Sequence, residues 1–161
     1  MCEDVTSEPL KRAREAHKAG NMKAAERLYN SVLQLQPQNA DANHNLGTIA
    51  ASSGQFEKAQ TFFKAALEAN FNSAQFWYSY IDCMIKLEQF DTASALLTSA
   101  CAKGASGDAF DQLQDRLDKA TVQSFKNLIR TMPKSGETYH NFGNALAKQG
   151  KLSEAVNAYE E

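Results

Sequence analysis

Histidine, cysteine and the carboxylates near them are the residues of this chain that could do chemistry. His17, His44 and His140 are its imidazoles, and none has a second imidazole or thiolate three or four residues away on the same helical face. Zinc-type sites need such convergence, so no metal site is expected. Cys2, Cys83 and Cys101 are odd in number and lack metal-ligand spacing. That argues against a disulfide framework and for a reducing compartment. Asp82 precedes Cys83 with no histidine close by in sequence, which leaves the thiol without a base to activate it. No glycine-rich phosphate loop or serine elbow occurs. The chain reads as non-enzymatic, with no cofactor.

Other residues suit binding better than reaction. His44-Asn45-Leu46-Gly47 and His140-Asn141-Phe142-Gly143 are the same four-residue device written twice. A side-chain amide can donate to one backbone carbonyl and accept from one backbone N–H, and so hold an extended peptide without reading its sequence. The alternative is that these asparagines join neighbouring helices by hydrogen bonds. Both readings stand at this level.

The elements that position these residues repeat at a fixed interval of 34 residues. Gly20 returns as Gly54, Ala25 as Ala59 and Ala93, Tyr29 as Phe63 and Leu97, and Val32 as Ala66 and Ala100. A period in this range marks a stack of similar units. Apolar or small residues at Ala42, Leu46, Ile49 and Ala50, then at Phe56, Ala59, Phe62, Phe63, Ala66 and Leu67, follow the helical period, so each unit is two helices. Gly54 ends the first where a left-handed conformation costs least. Helices are expected near Glu8–Ala19 and Met22–Gln36, then over Ala40–Ser52 and Phe56–Ala69.

Leu46-Gly47 with Ala50, Ala59 with Phe63, and Pro37 just before the unit resemble the tetratricopeptide repeat. The first unit keeps Gly20, Ala25, Tyr29 and Pro37 but has Arg12-Ala13 where Leu-Gly would stand. The third has the signature tryptophan as Trp77 but carries Glu88 in place of the turn glycine. Tyr139, Phe142-Gly143, Gly150, Ala155 and Tyr159 open another unit. The resemblance implies an all-α right-handed superhelical solenoid of antiparallel helix pairs. It would form a single domain over 1–161, with repeats at 6–39, 40–73 and 74–107, a degenerate helical unit at 108–135 and a partial repeat at 136–161.

Residues 108–135 are six short of a unit. Phe110, Leu113, Leu117, Ala120, Phe125, Leu128, Ile129 and Met132 keep a helical stripe, and Pro133 sits where a closing proline belongs. Two helices broken near Lys119–Val122 and one long helix both fit.

In the family the second, fifth, sixth, ninth and twelfth residues of each unit line an inner groove. Transferred here, these are Asp41, His44, Asn45 and Thr48, then Gln75, Tyr78, Ser79, Asp82 and Ile85, then Glu137, His140, Asn141 and Asn144. The peptide-binding candidates are therefore His44, Asn45, Thr48, Tyr78, Ser79, Asp82, His140, Asn141 and Asn144, on a polar and aromatic surface. The two asparagines are similar to the asparagine rows of protein O-linked N-acetylglucosamine transferases, with Ser79 interrupting the row. Members that clamp acidic chaperone tails use Lys, Asn and Arg. Here the matching sites are Leu10, Arg14, Asn45, Gln75 and Ser79, which disfavours such a ligand. Lys18, Lys86 and Lys148 share another repeat position and read as a solvated row.

Composition narrows the partners. With 17 basic and 19 acidic residues the net charge is −2, so there is no field to draw in nucleic acid or an anionic membrane. The amino terminus shows no signal-peptide pattern, and the chain reads as cytoplasmic. Leu152, Ala155, Val156 and Tyr159 lie in a last helix with no capping helix after it. Two accounts follow: a piece of something longer, or a homo-oligomer formed through that end. The expected role is a protein- or peptide-binding scaffold. The alternatives are a substrate-presenting arm, since the repeats resemble those preceding bacterial glycosyl-, sulfo- or methyltransferase domains, and a self-assembly module.

Overall fold

The computed structural model describes residues 6–131 and 135–161, which leaves Cys2, Met132 and Pro133 outside the described residues. Nine α-helices and no strand occur among the described residues. They are α1 (Ser7–Lys18), α2 (Met22–Leu35), α3 (Ala40–Ser52), α4 (Phe56–Ala69), α5 (Ala74–Lys86), α6 (Phe90–Ala102), α7 (Asp108–Thr131), α8 (Gly136–Lys148) and α9 (Leu152–Glu160). Contacts divide the chain after Leu87, so that α1–α5 form one unit and α6–α9 a second.

In the first unit, consecutive helices are joined by links too short for anything but antiparallel packing. Gly20 and Gly54 take φ of +76° and +73°, the left-handed turn that ends α1 and α3. The starts of α2 and α3 are fixed by side chains: Asn21 Oδ1 accepts from the N–H of Ala24 and Asn39 Oδ1 from that of Ala42. Such caps satisfy donors that the first helical turn leaves unpaired. Ala25, Tyr29 and Val32 on α2 pack with Ala13 on α1 and with Ala42, Leu46 and Ile49 on α3 in one buried cluster. Their counterparts one interval on, Ala59, Phe63 and Ala66, are buried in turn. Gly47 is small because a Cβ there would come within 2.6 Å of the Phe63 ring. α5 closes the unit with Ile81 and Met84, both fully buried.

Within α3 and α5 a repeated polar bond fixes the approach of the preceding loop. Asn43 Nδ2 donates to the carbonyl of Pro37 at 3.0 Å, and Trp77 Nε1 donates to that of Phe71 at 2.7 Å. Donors and acceptors are both one interval apart. An amide and an indole thus do the same task.

In the second unit α7 is one continuous helix of 24 residues. Of the two arrangements open to the sequence this is the one formed, because no glycine or proline interrupts 108–131. Phe110, Leu113 and Leu117 are buried along it. Val122, at the point where a break was conceivable, is buried too and joins Ala145, Leu146, Ala155 and Ala158 in a core with Phe125 and Phe142 beside it. Before α6, Glu88 adopts φ +56° at the position where the other pairs have glycine. In this unit α7 packs against both α6 and α8, and α8 packs against α9.

Candidate functional site

The first unit gathers Thr48 from α3 with Tyr78, Ser79 and Asp82 from α5 around one cavity of about 160 Å3. Positions i, i+1 and i+4 on α5 share a helical face, which is why three of its side chains reach the same space. Phe56, Phe63 and Cys83 line it too. The Cys83 thiol donates to the carbonyl of Phe56 at 3.3 Å, and burial, aided by Asp82, pushes its pKa up to about 11. It is a protonated packing group and not a nucleophile.

His44 is not among the residues that line this cavity, though it touches Phe63 and Ser79, which are. It is 6% exposed, stacks on Phe76 with ring centroids 4.8 Å apart, and leans on Phe63 at 5.7 Å. One ring nitrogen of His44 meets the Ser79 hydroxyl at 2.9 Å, so the imidazole ties α3 to α5. Burial holds its pKa below the ordinary value, in keeping with a neutral ring. Thr48 and Asn45 return hydrogen bonds to their own helix, Thr48 Oγ1 to the carbonyl of His44 at 3.0 Å and Asn45 Nδ2 to that of Asp41 at 2.7 Å. The Asp41 carboxylate pairs with Arg14 on α1.

The second unit holds a larger cavity of about 390 Å3, where Asn141 and Asn144 on α8 face Phe90 and Asp91 on α6 across Leu117, Asp118 and Phe125 on α7. Asp118 Oδ1 accepts from Gln114 Nε2 at 2.8 Å, and the Asp118 carbonyl accepts from Gln149 Nε2 at 2.6 Å, which anchors the end of α8 to α7. Tyr159 Oη donates to Asn144 Oδ1 at 2.8 Å. His140 stands outside the cavity, exposed, with its ring 5.6 Å from that of Tyr159.

Of the nine candidates, then, four meet in one cavity and two line the other; His44, Asn45 and His140 line neither. The duplicated device, His-Asn followed by an apolar residue and glycine, has a packing side common to both copies: His44 lies on Phe63 and His140 on Tyr159, at nearly equal distances and tilts. The α7 wall of the larger cavity was not legible from the repeat, because α7 lies out of its register. The recurrence of Gln114, Asp118, Thr121 and Phe125 at helical spacing on α7 was the available signal.

Among the described residues no three His, Cys, Asp or Glu side chains cluster as metal ligands, and no helix is long and apolar enough to cross a membrane.

A tetratricopeptide repeat profile matches residues 16–79 and 50–117, and a second one matches 136–161. TPR repeat-containing protein MJ1428 of Methanocaldococcus jannaschii is 26% identical over 89% of this chain. The chain spans only 28% of that relative's length. Among solved structures, MamA superposes with a TM-score of 0.62 at 20% identity, covering 96% of this chain and 88% of MamA. YrrB, described as a TPR protein with an unusual peptide-binding site, gives 0.66 at 17% identity, over 95% of this chain and 82% of its own. The TPR2B domain of yeast Sti1, in complex with pHsp70, gives 0.65 at 19% identity, over 71% of this chain and 96% of that domain.

Proposed function

The chain belongs to the tetratricopeptide repeat family, and from that premise we propose that it is a scaffold binding a protein or peptide through the side chains around the cavity of Thr48, Tyr78, Ser79 and Asp82 and the cavity of Asn141 and Asn144. The observation that carries this reading is the meeting of Thr48, Tyr78, Ser79 and Asp82, from two helices, around one cavity. Aromatic surface with a few polar groups is what an extended chain needs from a shallow site. YrrB and the Sti1 domain, of the same fold, are described as binding a peptide and pHsp70 respectively. Asn45, the one residue shared with the acidic-tail clamp, donates its amide to its own helix, so a carboxylate-terminated ligand is not favoured.

Selection of a displayed random-peptide library on the folded chain tests the proposal. Enriched peptides should lose affinity for Tyr78→Ala or for Asn141→Ala, with thermal midpoints little changed. No enrichment over a scrambled pool, or indifference to both substitutions, would overturn it. In the role of a transferase's substrate-presenting arm, the same cavities would hold the protein to be modified.

A second reading has its own observation. Leu152, Val156 and Tyr159 on α9 are 65%, 52% and 46% exposed, an apolar stripe suited to self-assembly. Sedimentation velocity over a wide concentration range decides it: a rising mass abolished by Val156→Glu supports assembly, and a constant monomer removes it.

A further inference from the structure

The cleft of the second unit differs in charge from the cavity of the first. Asp91 on α6 and Asp118 on α7 line it, with Lys148 on α8 as the cation among its lining residues. A neighbouring cavity of about 450 Å3 between α6 and α7 shares Phe90, Asp91, Thr121 and Phe125 with it and adds Glu88. The two cavities adjoin at these four residues, and the trough they make up together has two phenylalanine rings along it and three carboxylates against one ammonium, Asp118 and Lys148 lining one part and Glu88 the other. Lys148 is exposed, and no ion pair joins it to Asp91 or Asp118. Glu88 reaches the trough from a left-handed backbone that an L side chain rarely adopts, where the corresponding turns use glycine.

We propose that this trough binds an extended segment of a partner protein through a lysine or arginine side chain. It rests on the reading of the chain as a peptide-binding scaffold and names the ligand class of its second unit. The cation sits between the Asp91 and Asp118 carboxylates, where charge-assisted hydrogen bonds are stronger than neutral ones. Its aliphatic stem lies along Phe90 and Phe125, whose ring faces attract a cation directly. Gln114 holds the Asp118 carboxylate in place, and the Asn141 amide lies along the same trough for the ligand's backbone. A volume of about 390 Å3 falls in the range of clefts that hold small ligands, larger than one lysine or arginine side chain needs. An acidic segment would meet three like charges and be rejected.

The test uses the full chain and three fluorescein-labelled peptides of one sequence, differing only in carrying arginine, citrulline or glutamate at the central position. By fluorescence anisotropy at low salt the arginine peptide binds best. Asp91→Asn with Asp118→Asn weakens it by about tenfold or more and brings it to the level of the citrulline peptide. Asp115→Asn, whose carboxylate pairs with Lys119 on the outer face of α7, leaves it unchanged. Circular dichroism of each variant confirms the fold. Equal binding of the arginine and glutamate peptides, or full affinity in the folded double variant, overturns the proposal. Library peptides that lose affinity for Tyr78→Ala but not for the double aspartate variant, and that carry no cation, overturn it while leaving the scaffold reading intact. Absence of any peptide binding overturns both.

Discussion

The imidazole of His44 on α3 and the hydroxyl of Ser79 on α5 meet at 2.9 Å, with the imidazole stacked on Phe76. This junction links two helices of the first unit through a group that burial keeps from charging. Because its pKa is lowered on folding, the unfolded chain binds the proton more readily. The stabilisation is therefore whole above the unfolded value of about 6.5 and is lost as pH falls from there through the folded pKa. The thermal midpoint should fall more steeply between about pH 7 and 5 for the native chain than for His44→Gln. Parallel profiles would show that the junction does not titrate.

Gly47 and Gly143 hold the same position in two repeats, yet substitution should affect them differently. At Gly47 an added methyl meets the ring of Phe63, which is 3% exposed and cannot swing away. At Gly143 it meets the ring of Tyr159, which is 46% exposed and can. Gly47→Ala should cost about 1–3 kcal/mol from overpacking, partly offset by helix propensity. Gly143→Ala should be close to neutral while breaking the bond between Tyr159 and Asn144. Urea denaturation of both variants measures the difference, and equal losses would contradict it.

Glu88 has the left-handed turn conformation without being glycine. For an L residue this costs about 1–2 kcal/mol, so Glu88→Gly should raise stability by about 1 kcal/mol after the entropy of glycine is counted. Chemical denaturation reads this directly. The same variant should weaken the arginine peptide modestly, since it removes one carboxylate from the trough. A fall in stability would mean that the side chain contributes more than its backbone costs.

The hydroxyl of fully buried Tyr29 has no hydrogen-bond partner among the described residues, and burial raises its pKa. Phe63 occupies the same place one interval later. Tyr29→Phe should therefore keep the packing and change stability by no more than about 1 kcal/mol, in the favourable direction. A loss beyond about 2 kcal/mol would reveal a partner for the hydroxyl.

The sequence alone determined the helix pairs, because a 34-residue recurrence of small, aromatic and glycine positions is set by local geometry: the helical period, the tight crossing at Gly47 and the left-handed turns. Spacing alone also places Tyr78, Ser79 and Asp82 on one face of α5, but that Thr48 of α3 joins them around one cavity is a matter of packing between helices. Tertiary structure decided the rest. Whether His44 met solvent or Phe76 depended on which helix covers α3, and whether Asn45 reached outward depended on a competing carbonyl one turn back. Where α7 departs from the repeat, no spacing rule could say that Asp91, Asp118 and Phe125 would share a trough. Periodicity fixes which side of a helix a residue occupies, and only the packing of helices distant in sequence fixes what it faces there.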